Sequence, residues 1–553
     1  METEELKLPT AEQLVGNKVI EKRKKSLKKV FGSWIKDEYD KFFIIVILVA
    51  FIIRILIYLK TNDQAIWWDA ADYLSNAKRW AGLNLNMIDT WYYRRGFLWA
   101  FLSSLIFRIG LGELTIRFLI VLFSTGIVFV SYFLIKEMFD KRLALLVSIG
   151  TSMSWVYIFF SGRPLTNIPA TFFLLTSVLF FWKGYVKKQN KKFIYLFGLF
   201  FAFSCMTRMQ YSMFALPMVV LAFTKEKFRF LKNKHLWIAI LIFIILFIPH
   251  FILHYQHFGN PVFDILNYYF GVEGISETGE VGGVGDLSKL LVYFTNLPYL
   301  LDANSAGYSS LWVISPLYIL FIIGFLIFFL DLFLGFDKIF SNSNIQKKFF
   351  ILTWIVSAFI ILGRIAPHLE QRYVMQTLPF LYLIALYPSK ILYNFLRKNL
   401  KFKNISITII LILITLFLFM PNYNFGTDLI DQKKTSFAEI KAAGEWIKAN
   451  SNPEDIVITA STPQNAYYSE RPTYKFYLTS KRGMPKKNET DFYKFIEEKK
   501  PKYLVLSIYE PNAHRESNWA TNYPQKFPER VRPVQIYKQG EQPILVIYEF
   551  LYP

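Results

Sequence analysis

The residues of this chain best suited to chemistry lie in the segment 60–96, which follows the first long apolar stretch and is itself polar. Two carboxylates, Asp69 and Asp72, come shortly after a pair of tryptophans, Trp67 and Trp68. A carboxylate held beside a hydroxyl group can remove its proton, which is the role of a general base. We therefore predict that this segment lies on a membrane surface and carries a catalytic carboxylate.

The sequence DAADYLSNAKRWA, residues 69–81, predicts a short amphipathic helix within the segment. One side of this helix would carry Ala70, Tyr73, Leu74, Ala77 and Trp80 or Ala81. Asp69 then takes the N-cap position, where aspartate is common whether or not it is catalytic. Asp72 is expected to face solvent, although it could also take a second acidic role.

Basic residues that could bind a phosphate recur in segments predicted on the same side of the membrane. They are Arg94, Arg95, Arg163, Arg208, Arg364, His368 and Arg372. Arginine presents a planar fork that binds phosphate through two hydrogen bonds. A single arginine at the end of a span can also simply extend its charge toward the interface. For the whole set, an anionic ligand at this face is the better explanation.

A late segment, HLEQRYVMQTLP, contributes the most specific group of these side chains. Arg364, His368 and Arg372 are spaced by four residues, so a helical turn would align them, and Glu370 and Tyr373 enter the same turn. A capped helix start with a local ion pair is the alternative. A base together with cations for a departing phosphate suits sugar transfer from a phosphate donor to a hydroxyl group.

Several aromatic and polar side chains beside these charges could contact a substrate. Trp67, Trp68, Trp91 and Tyr92 would either stack on sugar rings or anchor the loop at the interface, and Tyr73, Glu370 and Tyr373 are further candidates.

Histidines offer only a weak indication of a metal site. His250, His254 and His257 could share one helix face, but no carboxylate or cysteine lies near them in the sequence. We therefore predict neither a metal nor another cofactor. The single cysteine, Cys205, lies in an apolar run, so a disulfide framework is excluded.

The composition predicts an integral membrane protein. Of the 553 residues, 54% are hydrophobic and 18% aromatic, and many apolar runs approach the roughly 20 residues needed to cross a bilayer. The net charge of +22 would suggest nucleic acid for a soluble protein, but here the lysines fall in short loops between spans. Nucleic acid is therefore not an expected partner, and the lipid bilayer is.

Hydropathy predicts about eleven spans. They lie near 42–59, 116–135, 143–160, 168–185, 193–206, 210–224, 236–254, 311–333, 349–363, 373–388 and 405–420. Lysine-rich loops alternate with lysine-poor ones along the chain, which places the N-terminus in the cytoplasm and the loop 60–96 and the C-terminal region outside. The apolar stretch 97–109 is too short to span.

This topology divides the chain into three parts. We expect a cytoplasmic basic tail over 1–40, a transmembrane catalytic domain over 41–425 and a small extracytoplasmic α/β domain over 432–553. Within the transmembrane part, 60–115 forms the first outer loop with interfacial helices. The long outer segment 255–310 is expected to be a membrane-facing flap around a glycine-rich tip.

Several of these motifs together resemble the GT-C glycosyltransferases that use polyprenyl-phosphate sugars, in particular the protein O-mannosyltransferases and aminoarabinose transferases. Asp69-Ala70-Ala71-Asp72-Tyr73 is similar to the Asp-Glu-x-x-Tyr pattern of that family in its first outer loop. SGRPLTNIPATFFLL (161–175) and HLEQRYVMQTLPFLYLIA (368–385) resemble later motifs, and AAGEWIKAN, DIVITAS and AYYSERPT resemble the soluble C-terminal domain. The likeness covers nearly all of 40–550.

The resemblance implies a GT-C fold, Asp69 as general base, inverting transfer without a metal ion, and basic residues at the outer span ends that bind the lipid phosphate. The substrates would be a polyprenyl-phosphate sugar and a protein, lipid or glycan acceptor, at the plasma membrane of a prokaryote. Two departures matter: Ala70 replaces the usual glutamate, and Asn167 stands where relatives often carry aspartate. A flippase or transporter of lipid-linked sugars and an inactive scaffold relative remain as alternatives.

Overall fold

The computed structural model describes residues 37–83, 95–262, 291–301, 315–365, 370–475, 489–510 and 518–552. The basic tail as far as residue 36, most of the segment 255–310, and Trp91, Tyr92, Arg94 and His368 lie outside the described residues, and of Arg364 and His257 only the backbone is described. The described part is a bundle of helices around one large apolar core, followed by a small domain with a five-stranded sheet.

The first part of the bundle contains ten helices within the described residues. In chain order these are α1 (Glu38–Thr61), α2 (Trp68–Trp80), α3 (Leu98–Arg108), α4 (Glu113–Met138), α5 (Lys141–Met153), α6 (Trp155–Phe160), α7 (Asn167–Phe181), α8 (Lys191–Thr207), α9 (Ala215–Glu226) and α10 (Lys234–Phe258). A π-helical turn, Trp182–Val186, extends α7, and a 3-10 helix, Met209–Phe214, precedes α9.

The second part of the bundle follows in the chain after α10. Its described helices are α11 (Val292–Thr295), α12 (Leu297–Leu301), α13 (Pro316–Leu334), α14 (Ser343–Ile365), α15 (Leu378–Leu386), α16 (Ser389–Lys398) and α17 (Asn404–Lys433). A 3-10 helix, Gln371–Thr377, runs directly into α15.

Seven helices of the described chain are long and apolar enough to cross a membrane: α1, α4, α7 with its π-helical turn, α10, α13, α14 and α17. The other predicted spans are shorter or broken. The stretch 143–160 divides into α5 and α6 at Ser154, and 210–224 and 373–388 each begin as a 3-10 helix. The count of about eleven spans therefore stays a prediction.

The break between α5 and α6 is held by a buried arginine of α1. Arg54 donates to the hydroxyl of Ser124 at 2.8 Å and to the carbonyl of Ser152 at 3.3 Å. Ser152 lies in the last turn of α5, where carbonyl groups lack a partner within the helix. The arginine thus satisfies a buried carbonyl that a continuous helix would have satisfied, and α6 can leave in a new direction.

The amphipathic helix predicted over 69–81 exists as α2, but it is not a half-exposed surface helix. All residues from Ala70 to Ala77 are buried, polar and apolar alike. A helix of the C-terminal domain, α19 (Thr462–Ser469), packs on the face that was expected to meet solvent. Ser75 donates to the carbonyl of Pro463 at 3.2 Å, so the polar side of α2 is used for contact between domains.

The C-terminal domain is an α/β layer. After α17 it contains α18 (Ala438–Ala449), β1 (Val457–Thr459), α19, β2 (Thr473–Tyr474), α20 (Glu489–Lys499), β3 (Tyr503–Ser507), α21 (Asn518–Thr521), α22 (Tyr523–Lys526), β4 (Val531–Gln539) and β5 (Gln542–Phe550). The strand order is β2-β1-β3-β5-β4, with β1 parallel to both neighbours and β4 and β5 forming an antiparallel hairpin. The short β2 is the one observed strand without a sequence prediction.

Candidate active site

A polar cavity of about 200 Å³ opens where α2 meets the start of α7, the end of α8 and the 3-10 helix before α15. Its walls are formed by Asp69, Tyr73, Arg95, Gly96, Leu165, Thr166, Asn167, Thr207, Arg208, Gln210, Arg372 and Tyr373. Three arginines and one carboxylate thus share a space large enough for a phosphate group with part of a sugar.

Asp69 lies between two of these arginines. Its Oδ1 accepts from Arg95 Nη2 at 3.1 Å, and its Oδ2 pairs with Arg372 Nη1 at 2.9 Å. Arg95 also pairs with Asp72 at 2.8 Å, and Arg372 forms two further bonds with Glu370. The five side chains therefore form a row of alternating charge, from Asp72 at one end to Glu370 at the other.

This arrangement corrects the expectation for Asp72. The side chain does not face solvent, since the residue is 6% exposed and its carboxylate holds Arg95. The physical reason is the cover that the C-terminal domain places over α2, together with the proximity of a guanidinium that compensates a buried negative charge.

The electrostatics of the row keep Asp69 ionised. Burial alone would raise the pKa of Asp69, but the charges of Arg95, Arg372 and Arg208 outweigh it and hold the pKa below its usual value. For Arg372, burial lowers the pKa while Asp69 and Glu370 raise it, and the net effect is a raised pKa. The cavity therefore carries both the negative charge of Asp69 and the positive charge of Arg372.

Arg208 differs from the other two arginines of the cavity because none of the described carboxylates lies within ion-pair distance of it. Its Nη1 donates to the Thr166 hydroxyl at 3.2 Å, and its guanidinium lies 5.3 Å from the centre of the Tyr373 ring. Its Nε is buried and has no hydrogen-bond partner among the described residues. A positive charge held in this way is available to an anionic ligand.

Backbone geometry places these side chains. Gly96 follows Arg95 and packs so closely on α8 that an added Cβ would collide with the carbonyl oxygen of Met206. On the opposite wall, the Asn167 amide donates to the carbonyl of Arg372 at 3.0 Å. The Tyr211 hydroxyl donates to Gln376 Oε1 at 3.0 Å and so ties the 3-10 helix before α9 to the one before α15.

Arg163, predicted among the phosphate-binding residues, does not line the cavity. The residue is 3% exposed, and its guanidinium lies against the Trp67 and Phe159 rings, 4.3 and 3.7 Å from their centres. Burial lowers the pKa of Arg163 to about 9. The structure therefore uses Trp67 and Arg163 together as packing directly before α2.

Of the predicted substrate contacts, Tyr73 and Tyr373 line the cavity, and Glu370 holds Arg372. Trp68 lies outside it, 36% exposed, with Lys475 Nζ 5.0 Å from its ring centre. Arg94, Arg364 and His368 cannot be placed because their side chains are outside the described set.

The described residues contain no group of three or more histidine, cysteine, aspartate or glutamate side chains that could hold a metal ion. His250 and His254 lie side by side in α10, with ring centres 4.0 Å apart, and both are buried. The ring centre of His250 lies 6.2 Å from that of Phe97, and neither histidine is among the residues that line the cavity.

Six lining residues were absent from the predicted set: Gly96, Leu165, Thr166, Thr207, Gln210 and Asn167, the last of which the resemblance noted only as a departure. All of them neighbour a predicted arginine or its loop in sequence. Taking whole outer-face loops such as RPLTN and TRMQ, instead of their charged members alone, would have found them.

Comparison with known proteins gives one family model and several solved structures that this chain resembles. Residues 94–253 match the family model described as dolichyl-phosphate-mannose-protein mannosyltransferase, a segment that includes Arg95, Arg163 and Arg208. A search of curated protein sequences finds no match.

Solved structures give a match over most of the chain. ArnT from Cupriavidus metallidurans bound to undecaprenyl phosphate is 12% identical over 91% of this chain and 97% of that protein, with a TM-score of 0.60. The apo oligosaccharyltransferase of Archaeoglobus fulgidus is 14% identical over 88% and 72%, with a TM-score of 0.58. The oligosaccharyltransferase AglB from Archaeoglobus fulgidus, in complex with an inhibitory peptide and a dolichol-phosphate, is 13% identical over 92% of this chain and 74% of that protein, with a TM-score of 0.56.

At these identities the structural matches establish the fold. They confirm the predicted GT-C fold, a mostly helical membrane domain with a small C-terminal sheet, and with the family match they confirm the predicted resemblance. Together they support the prediction that the chain is a glycosyltransferase.

Proposed function

We propose that the protein is an integral-membrane glycosyltransferase that moves a sugar from a polyprenyl-phosphate carrier to an acceptor hydroxyl group at the outer face of a prokaryotic plasma membrane. The observation that carries the proposal is the cavity in which one carboxylate, Asp69, shares its walls with three arginines. A base for the acceptor and cations for the leaving group are the two requirements of this reaction.

In this mechanism Asp69 takes the proton from the acceptor hydroxyl, and the acceptor oxygen forms a bond to the anomeric carbon of the sugar. The bond between that carbon and the phosphate oxygen breaks, and polyprenyl phosphate leaves with the electron pair. Because the acceptor attacks from the side opposite the leaving group, the configuration at the anomeric carbon inverts. No metal ion is required.

The leaving phosphate gains negative charge, and the arginines stabilise it. Arg208 is the primary phosphate ligand, since it lines the cavity and its Nε has no hydrogen-bond partner among the described residues. Arg95 and Arg372 hold the phosphate from the side of Asp69. Thr166, Asn167 and Gln210 offer neutral hydrogen-bonding groups that suit the hydroxyl groups of a sugar.

The known structures of the same fold support this type of donor. One holds undecaprenyl phosphate and another a dolichol-phosphate together with an inhibitory peptide. By analogy, the donor of this protein is a lipid-phosphate sugar, its tail lies along the spans, and the acceptor is a protein, a lipid or a glycan. The C-terminal domain, which covers α2, lies on the acceptor side outside the membrane.

The decisive experiment incubates the purified protein in detergent with a panel of labelled polyprenyl-phosphate sugars and an extract of host membranes. Asp69→Asn should lower transfer at least about 100-fold, because a positioned base contributes roughly 10²–10⁴ to the rate. The matched control is Asp431→Asn, which removes an exposed ion pair with Lys60 remote from the cavity. This variant should retain transfer, and a chelator should have no effect.

Near-normal transfer by a well-folded Asp69→Asn would contradict the proposal. A protein that binds donors without turnover in detergent, yet moves them across sealed vesicles, would be a flippase.

A further inference from the structure

Both carboxylate oxygens of Asp69 are occupied, and by the two arginines that the donor phosphate also needs. Oδ1 accepts from Arg95 and Oδ2 pairs with Arg372, at 3.1 and 2.9 Å. The outer carboxylates, Asp72 and Glu370, hold the same guanidinium groups from behind. The two functions proposed for this site, binding phosphate and accepting a proton, thus compete for one set of hydrogen bonds.

A carboxylate in this state is a poor base. Two charge-assisted hydrogen bonds stabilise its ionised form, and the N–H groups that make them cannot at the same time donate to a phosphate. The acceptor hydroxyl is neutral and has no charge with which to displace an arginine from Asp69. A phosphate is an anion that accepts from arginine through two oxygens, so it can displace the carboxylate.

We propose that the donor phosphate takes Arg95 and Arg372 over from Asp69, so that donor binding frees the catalytic base and must precede productive binding of the acceptor. This inference rests on the proposed function. Asp72 and Glu370 act as positioning residues, since they keep each guanidinium in place while its inner hydrogen bond passes from carboxylate to phosphate. Arg208, which holds none of the described carboxylates, receives the phosphate first.

Such a competition has an unusual consequence. Removing the negative charge of Asp69 should improve binding of the phosphate group, although it strongly lowers transfer. A residue that only contacts the donor would weaken binding when changed, and a residue outside the site would leave it unaltered.

The test measures binding of farnesyl phosphate, a short isoprenyl phosphate, to the purified full-length protein in detergent by titration calorimetry. Asp69→Asn should bind this probe roughly tenfold more tightly than the wild type, because the phosphate no longer displaces a charged competitor. Asp431→Asn should bind like the wild type. Farnesol, which lacks the phosphate, should show no difference between the three proteins.

A positioning role for the outer carboxylates has its own readout. Glu370→Gln should weaken farnesyl phosphate binding, since Arg372 loses the partner that aligns it, and Asp69→Asn combined with Glu370→Gln should lose much of the gain. If Glu370→Gln and the wild type bound farnesyl phosphate equally well, the positioning role of Glu370 would be wrong.

The outcomes separate the inference from the function. Lost transfer with tighter probe binding supports both, whereas lost transfer with equal or weaker binding overturns the competition and leaves the proposed transferase intact. Retained transfer in Asp69→Asn contradicts the base itself. If Asp69→Asn fails to fold, Asp69→Ser carries the same test, because it also removes the charge.

Discussion

The arginines of the predicted phosphate-binding set occupy two kinds of environment in the fold. Outer-face arginines were predicted as a set, and three of them, Arg95, Arg208 and Arg372, do line one cavity. Arg163 belongs to the same pattern in the sequence but is buried against aromatic rings. Which arginine meets a ligand depends on how the helices pack, and residue type and spacing do not contain that information.

Glu510 offers a test of electrostatics in the C-terminal domain. Burial raises the pKa of Glu510 to about 7; a hydrogen bond from Ser461 and the charge of Lys475 act in the opposite direction, and the charge of Glu439 adds to the rise. Between its ordinary pKa of about 4.3 and about 7, the folded protein therefore binds a proton that the unfolded chain has lost. In this interval the contribution of Glu510 to stability falls as pH rises, and above it the contribution is constant.

Raising the pH from 5 to 8 should consequently lower the apparent melting temperature of the wild type more than that of Glu510→Gln, which cannot ionise. Thermal unfolding of both proteins in the same detergent at the two pH values measures the difference. Equal shifts in both proteins would show that Glu510 ionises normally.

At the scale of elements, α2 and most of the long apolar helices were predicted within a few residues, because hydropathy and local pattern determine them. The exceptions are α17, which continues to Lys433 although its span was predicted to end at 420, and α14, which begins at Ser343 and not at 349. The broken helices were not predicted. The split at Ser154 depends on Arg54, which lies about a hundred residues earlier and satisfies the carbonyl of Ser152 at 3.3 Å. A hydropathy window cannot detect a contact between distant segments, so α5 and α6 were predicted as one span.

The close contact between the Gly96 backbone and α8 can also be tested. An alanine Cβ at Gly96 would collide with the Met206 carbonyl oxygen and lie 2.7 Å from the carbonyl carbon of Thr207, and backbone atoms cannot turn aside as a side chain can. Gly96→Ala should therefore shift Arg95 away from Asp69 and lower transfer at least about tenfold, since small displacements of catalytic groups cost about that much or more.

Gly112→Ala is the matched control for this change. No atom lies within 4 Å of a Cβ built at Gly112, and the residue has a φ of −101°, which alanine accepts. Transfer assays and melting curves of the two variants side by side make the comparison. Full activity in Gly96→Ala would show that the segment carrying Arg95 can move without harm.

On the scale of the whole molecule, the C-terminal domain packs on α2 and is therefore a structural part of the candidate active site. An α/β domain at this end was predicted from its strand pattern. Its contact with α2 was not predicted, because docking depends on individual hydrogen bonds. The Gln464 amide donates to the carbonyl of Ile66 at 2.9 Å, and Lys78 of α2 pairs with Glu470 at 2.9 Å. These contacts fix both ends of the helix that carries Asp69.

A substitution at Tyr468 tests whether the contact between the C-terminal domain and α2 matters for catalysis. Its hydroxyl accepts from the Ile66 amide at 2.8 Å, directly before the turn that leads to Asp69. Tyr468→Phe keeps the ring but leaves that amide unsatisfied, which costs about 1–3 kcal/mol for a buried donor. Because the cost falls on the segment that aligns the base, we expect kcat to fall several-fold while binding of farnesyl phosphate stays unchanged.

Tyr552→Phe removes a hydroxyl bonded at 2.6 Å to the Pro501 carbonyl, remote from α2, and should leave kcat unaltered. If both variants lost activity equally, the domain would contribute general stability alone; if only Tyr468→Phe does, its contact with α2 holds the base in position.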